Sequence, residues 1–197
     1  MRKNIIIFGA GRAGKTTLAK KLNEELNYSV IGTDDITAIL TKSFPELKLD
    51  DSNDWEKTMA NFAPFIAHFI GTLDYRSKCH NGTNFVIEGW HYDFEKMLPV
   101  LNMYEIEELS DHFLLIGLTY PNKTPEDYFD DRKKYDMPDD WTYNLCDDEL
   151  KCLSIDAVEY SRKIHDMYSV YNPLFYDVSQ NREQVLDKIV KDIAKDF

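Results

Sequence analysis

Cysteine is scarce: Cys79, Cys146 and Cys152 are the only three, an odd number with no C-x-x-C pair among them. That argues against a disulfide framework and against a zinc site, and reduced thiols in a cytosolic chain are the plain expectation. Positive charge is short as well, with 23 Lys and Arg against 35 Asp and Glu and a formal net charge of −12. Nucleic acid and anionic membranes are bound mainly through clustered Lys and Arg, so neither is expected as a partner. The basic run Arg132-Lys133-Lys134 sits among acids. Long apolar runs are missing, and no stretch approaches the roughly 20 residues a membrane span needs. The run Ile5-Ile6-Ile7-Phe8 that follows Met1-Arg2-Lys3-Asn4 is short and ends in Gly9-Ala10-Gly11-Arg12, so it does not read as a secretory signal. No internal repeat, low-complexity tract or linker interrupts the chain.

What remains is the composition of a globular protein: 197 residues, 43% apolar and 13% aromatic, enough for one α/β domain with a proper core. Strand and helix patterns alternate along it. Asn4 to Phe8 is a continuous β-branched and aromatic run, suited to a central parallel strand buried on both faces. Thr16 to Leu26 places Leu18, Leu22 and Leu26 on one helical stripe. Ser29 to Ile31 is a short second strand closed by Gly32, and Thr33-Asp34-Asp35 is suited to capping the next helix. From Asp54 to about Lys78 the apolar positions are again helical. Pro64 is expected to kink or divide that helix, Asn81-Gly82 to end it as a turn, and His68 to be a core residue. Asn84 to Glu88, His112 to Thr119 and Leu174 to Val178 read as further strands. Thr124-Pro125-Glu126-Asp127 is a helix start, Tyr135 to Asn144 a polar loop, and Asp147 to Tyr171 and Glu183 to Phe197 are helices. About five parallel strands with helices on both faces follow from this alternation.

The most specific signal is Gly9-Ala10-Gly11-Arg12-Ala13-Gly14-Lys15-Thr16, which matches G-x-x-x-x-G-K-[ST], with Thr17 next. Such a loop cradles phosphates in its backbone N–H groups at the positive end of a helix; the Lys reaches the β- and γ-phosphates and the Thr hydroxyl ligates Mg²⁺. Chance would produce the pattern in roughly one chain in a hundred of this length. A buried strand before it and an amphipathic helix after it make chance a poor account. ATP or GTP, with Mg²⁺, is therefore the expected ligand, and the missing guanine signature and the family resemblance given below favour ATP. A signalling GTPase is disfavoured, because Asn122-Lys123-Thr124-Pro125 puts Pro125 where a guanine-reading Asp belongs, and Glu88-Gly89-Trp90 is no D-x-x-G switch.

The layout resembles the small P-loop kinases, the group of nucleoside monophosphate, shikimate and gluconate kinases. The resemblance covers nearly the whole chain as an order of elements, with the phosphate loop as its specific part. It implies a three-layer fold with sheet order 2-3-1-4-5, a single domain over 1–197, an acceptor-binding helical insertion over 36–80 and a phosphate-covering lid over 121–145. Thr33-Asp34 looks like the end of the D-T-D motif of shikimate kinases, with Gly32 replacing its first Asp. Asp34 is then either the carboxylate that meets the acceptor hydroxyl or, with Asp35, a helix cap. Glu88, at a strand tip, is an expected support for Mg²⁺ or its waters, and Arg132 resembles the lid Arg that offsets phosphoryl charge. Trp90 and His91 follow that strand, where ligands of open α/β sheets bind, and are candidate acceptor contacts beside Asp34, Asp35 and Arg76. Arg76 is the only Arg of the acceptor-side stretch, whereas phosphorylated acceptors are held by several. The expectation is an ATP- and Mg²⁺-dependent kinase of a small hydroxyl compound such as a nucleoside, sugar or sugar acid. The alternatives are a nucleotide-binding regulatory protein with little transferase activity, and a kinase with a protein or peptide acceptor.

Overall fold

The computed structural model describes residues 3–49, 54–79, 83–138 and 140–195. Strand β1 (Asn4–Gly9) is buried at every position, as its unbroken apolar sequence requires of a strand covered on both faces. It pairs in parallel with β3 (Phe85–Gly89) on one side and β4 (Phe113–Thr119) on the other, with Ile6 opposite both Ile87 and Leu115. Strands β2 (Ser29–Gly32) and β5 (Leu174–Asp177) complete the sheet in the order β2-β3-β1-β4-β5. As edge strands they are only half buried.

Right-handed crossovers fix which face each helix covers. The β1-to-β2 connection runs against the direction of the later ones, so α1 (Lys15–Leu26) lies on one face, where it packs with α8 (Arg182–Lys195). The opposite face carries α3 (Trp55–Cys79), α4 (Phe94–Leu101) and α7 (Asp147–Tyr168). There Phe8 meets the rings of Phe94, Tyr168 and Phe175 edge-on at 4.9 to 5.9 Å. Helix α2 (Thr33–Ser43) follows β2 directly, the short α5 (Leu109–His112) feeds β4, and α6 (Pro125–Tyr135) follows it. Helix α6 begins as the sequence pattern requires, with a capping box between Thr124 and Asp127 and Pro125 in its first turn.

Several local expectations are corrected. Helix α3 runs undivided through Pro64, which is exposed, so the Ala60 carbonyl left without its amide partner is on a side that water reaches. His68 is exposed and pairs through Nδ1 with the Tyr104 hydroxyl at 3.0 Å, so it is no core residue. Residues 90–112 add α4 and α5 to the expected elements, and α4 is marked by Phe94, Met97, Leu98 and Leu101 at helical spacing. The long seventh helix ends at Tyr168 and tightens into a 3₁₀ turn over Ser169–Tyr171. The Asn81-Gly82 turn and the last two residues of the closing helix lie outside the described residues. All three cysteines are exposed and free. No helix among the described residues is long and apolar enough to cross a membrane.

The amino ends of the strands are closed by a polar knot. Asn4 accepts from the Phe85 amide at 2.9 Å and donates to Asp74 at 3.3 Å and Ser77 at 3.0 Å. The buried Asp74 carboxylate also takes Lys78 Nζ at 2.6 Å and His112 Nδ1 at 3.0 Å. This knot ties α3 to β1 and to the α5–β4 junction.

Candidate active site at the carboxyl ends of the strands

The glycine loop turns at the carboxyl end of β1. Gly9 has φ +146°, and a Cβ there would lie 2.1 Å from the Leu118 carbonyl oxygen, so only glycine lets β1 and β4 approach this closely. Ala10 and Ala13 are buried and brace the loop from behind, Gly14 is the residue before α1, and Thr17 is half buried inside that helix. Gly11, Arg12, Lys15 and Thr16 face a cavity of about 590 Å³. Lys15 Nζ donates to the Ala10 carbonyl at 2.9 Å, and Tyr120 OH donates to the Gly11 carbonyl at 2.9 Å. Burial pushes the Lys15 ammonium below its ordinary pKa, against the pull of Glu88 and Asp34. Among the described residues no carboxylate lies within ion-pair distance of it.

Two acids reach the same cavity from neighbouring strand ends. Glu88, on β3, sits opposite Gly32 in the β2–β3 ladder, and its Oε1 accepts from Thr16 Oγ1 at 2.9 Å. Asp34 follows two residues after Gly32. The close seating of α2 depends on Gly89, where a Cβ would fall 1.8 Å from Thr33 Oγ1. Gly32 stands before the first residue of α2, and no side chain caps that end, so Asp34 and Asp35 are first-turn residues rather than caps. The Asp34 side chain is 76% exposed in the open cleft, whereas Asp35 is exposed beside the cavity and does not line it. Both Asp34 and Glu88 are held above the ordinary carboxylate range. For Asp34 crowding by protein outweighs the pull of Lys15; for Glu88 burial outweighs the Thr16 hydrogen bond and Lys15.

Trp90 lines the cavity but His91 does not. His91 is 5% exposed, packs on Phe62 and Trp90, and contacts Thr33 Oγ1 at 3.1 Å and Asp34 Oδ1 at 3.4 Å through Nδ1. Burial, helped by Lys15, lowers its pKa to about 4, so the ring is neutral and positions Thr33 and Asp34 from behind. Its assignment as an acceptor contact is corrected on that ground. Arg76 is corrected as well: it is exposed in the last turn of α3, whose first residue, Trp55, lines the cavity. About six turns of helix, roughly 30 Å, separate the two.

Arg132, on α6, is 5% exposed and faces the Tyr128 ring at 5.9 Å. Its Nε lies 3.1 Å from Asp136 Oδ2 but off the line of a hydrogen bond, and it is the one buried side-chain nitrogen or oxygen left unbonded among the described residues. Arg12, with left-handed backbone, forms ion pairs with Asp136 and Asp140, tying the glycine loop to the loop after α6. Arg12, Tyr128 and Arg132 line the first cavity and also a second, of about 600 Å³, bounded by Tyr120, Lys123 and the loop from Val178 to Gln184. The two cavities thus share a wall made of both arginines.

The Thr16–Glu88 pair suits Mg²⁺ held mainly by phosphate oxygens and water, which needs one or two protein oxygens rather than a cage. No cluster of three or more His, Cys, Asp or Glu able to form such a cage occurs among the described residues. The second cavity and the unbonded Arg132 Nε suit a nucleotide.

No protein-family model and no curated protein matches this sequence. Solved structures do match. A shikimate kinase from Bacteroides thetaiotaomicron aligns over 98% of this chain and 97% of its own at a TM-score of 0.56 and 17% identity. A shikimate kinase from Acinetobacter baumannii, solved in complex with shikimate, aligns over 100% of this chain and 95% of its own at 0.57 and 14% identity. The fold is that of the P-loop small-molecule kinases. The order 2-3-1-4-5 expected from the sequence holds. Tyr120, Tyr128, Tyr160, Trp55, Trp141 and Asp156 were not singled out from the sequence. Only α7 carried a signal, with Leu153, Asp156, Ala157 and Tyr160 recurring on one helical face.

Proposed function

We propose that the protein is an ATP- and Mg²⁺-dependent phosphotransferase acting on a small hydroxyl compound. The observation that carries this reading is the convergence of Lys15, Thr16 bonded to Glu88, and Asp34 on one cavity at the carboxyl ends of β1, β2 and β3. In this reading Lys15 and the loop amides hold the donor phosphates, and Lys15 leaves its Ala10 carbonyl to do so. Thr16 and Glu88 would hold Mg²⁺ or its waters, and the ion would offset phosphate charge. Arg132 meets phosphate oxygens from the shared wall, with its guanidinium beside the Tyr128 ring. Asp34 orients the acceptor hydroxyl and takes its proton. The acceptor oxygen bonds to the γ-phosphorus as the bond from that phosphorus to the β–γ bridging oxygen breaks, and ADP leaves with the electron pair.

The chain acts as one catalytic unit in the cytosol, with residues 121–145 as the lid. Of the 36–80 stretch, only the start of α3 serves the acceptor. The test is ADP release from Mg-ATP across pools of nucleosides, sugars, sugar acids and nucleoside monophosphates, with Lys15→Ala as the blank. A pool that raises release well above the blank supports the reading and names the acceptor class. A flat response with ATP still bound would point instead to a nucleotide-binding regulator.

A further inference from the structure

The part of the cavity wall beyond the glycine loop has a composition of its own. All three tryptophans of the chain, Trp55, Trp90 and Trp141, line it. They come from three separate places: the first residue of α3, the residue after β3, and the loop after α6. Helix α7 adds the face that bears Asp156 and Tyr160. Trp55 and Tyr160 meet edge to face at 5.0 Å. The Tyr120 hydroxyl, bonded to Gly11, lies 3.5 Å from the Ala157 carbonyl and so holds this face beside the glycine loop. A hydroxyl compound in the cavity would therefore meet indole and phenol rings as well as Asp34 and the donor phosphates.

The charges in the cavity are unequally available. Its cations are Arg12, Lys15 and Arg132, and its acids are Asp34, Glu88, Asp140 and Asp156. Arg12 is already paired with Asp136 and Asp140, and the phosphotransferase reading gives Lys15 and Arg132 to the nucleotide. No cation of the wall is left for an anionic acceptor. Asp156, by contrast, is exposed on the cavity and has no ion-pair partner among the described residues. A carboxylate or phosphate on the acceptor would meet Asp34, Asp156 and ring faces, each of which disfavours negative charge. An ammonium group finds the opposite: indole faces attract cations more strongly than other aromatic rings, and Asp156 supplies the counter-charge.

Resting on the phosphotransferase reading, we propose that the acceptor is a hydroxyl compound bearing a protonated amine, an amino alcohol or amino sugar, held by its ammonium at Trp55, Trp90, Trp141 and Asp156. This narrows the acceptor and removes sugar acids from the candidates. It also accounts for a pocket rich in tryptophan that offers no arginine to the acceptor.

The experiment uses the full chain and matched probes that share one carbon skeleton: glucosamine, glucose and gluconate, with amino alcohols and aminocyclitols beside their nitrogen-free counterparts. ADP release from Mg-ATP and quenching of tryptophan fluorescence are read in parallel. The amine member of at least one set is expected to exceed its neutral counterpart by roughly tenfold or more in kcat/KM. Asp156→Asn and Trp141→Leu are each expected to raise KM for that amine about tenfold with kcat nearly unchanged, a split that a merely structural role would not give. Both positions are exposed, Trp141 at 73%, so neither change threatens the fold. Preference for neutral or anionic members overturns the amine proposal while leaving the phosphotransferase intact. Amine quenching that Asp156→Asn weakens, without ADP release from any acceptor, supports the amine site and overturns the phosphotransferase. Absence of both quenching and release with every amine overturns the amine proposal.

Discussion

At the carboxyl ends of the strands Glu88 and Asp34 face Lys15, with His91 behind them; at the amino ends Asp74 faces Lys78 and His112. The residue types are the same, and helix α3 runs from one group to the other. Their states differ. Asp74 is buried and bonded to Asn4, Lys78 and His112 together, so each of its oxygens has a partner. Lys15 bonds a backbone carbonyl, Asp34 opens onto a cavity, and both acids at that end are held above their ordinary pKa. One end is satisfied and closed, and serves stability. The other keeps its charges uncompensated beside a cavity, which is what a site for a charged ligand requires.

The sharpest way to break this comparison is to remove one lysine. Lys15→Ala is expected to lower phosphoryl transfer about a thousandfold, roughly 4 kcal/mol of transition-state stabilisation, with the melting temperature unchanged. An unfolded Lys15→Ala protein would mean the two ends do not differ as described. Next in size is Asp74→Ala, which strips the knot of its acid and leaves Asn4, Lys78 and His112 facing a gap. Chemical denaturation should show a loss of about 3 kcal/mol, while Mg-ATP affinity measured below the melting temperature stays put.

Asp34→Asn follows, with kcat falling about a hundredfold if the carboxylate takes the acceptor's proton. Because crowding raises the Asp34 pKa, its ionised form is lost as pH falls through a value above the ordinary carboxylate range. The acid limb of the wild-type kcat profile should therefore sit above that range, and in the residual activity of Asp34→Asn only the contribution of Glu88 should remain. A wild-type limb at the ordinary value, or a mutant profile of unchanged shape, would remove Asp34 from the chemistry. The smallest effect belongs to Arg76→Ala. An exposed residue about 30 Å along α3 from the cavity should change stability by less than about 0.5 kcal/mol and leave every kinetic constant alone.

How far the sequence could be read depended on whether a feature was contiguous. The order of strands and helices followed from unbroken runs such as Ile5 to Phe8 and from the stripe of Leu18, Leu22 and Leu26. The glycine loop was legible because all of its chemistry lies in eight neighbouring residues. Asp34, Glu88 and Trp90 could be named because strand ends are where such folds bind ligands. The aromatic wall could not, since Trp55, Trp141 and Tyr160 are separated along the chain and meet only after α3, α6 and α7 have packed. Arg76 went astray for the reverse reason: it belongs to the same stretch as Trp55, but an unbroken helix of 25 residues carries it about six turns from the cavity. His91 looked like a cavity residue by position, and only the packing of Phe62 and Thr33 around it reveals a buried neutral ring.

The most direct test of the central claim, that the carboxyl end of the sheet is the nucleotide site, is calorimetric titration of ATP with and without Mg²⁺ into wild type, Lys15→Ala and Asp74→Ala. The account predicts Mg²⁺-dependent binding to wild type and Asp74→Ala that is lost or weakened at least about a hundredfold in a folded Lys15→Ala protein. Equal binding to wild type and Lys15→Ala, or none to either, would contradict it.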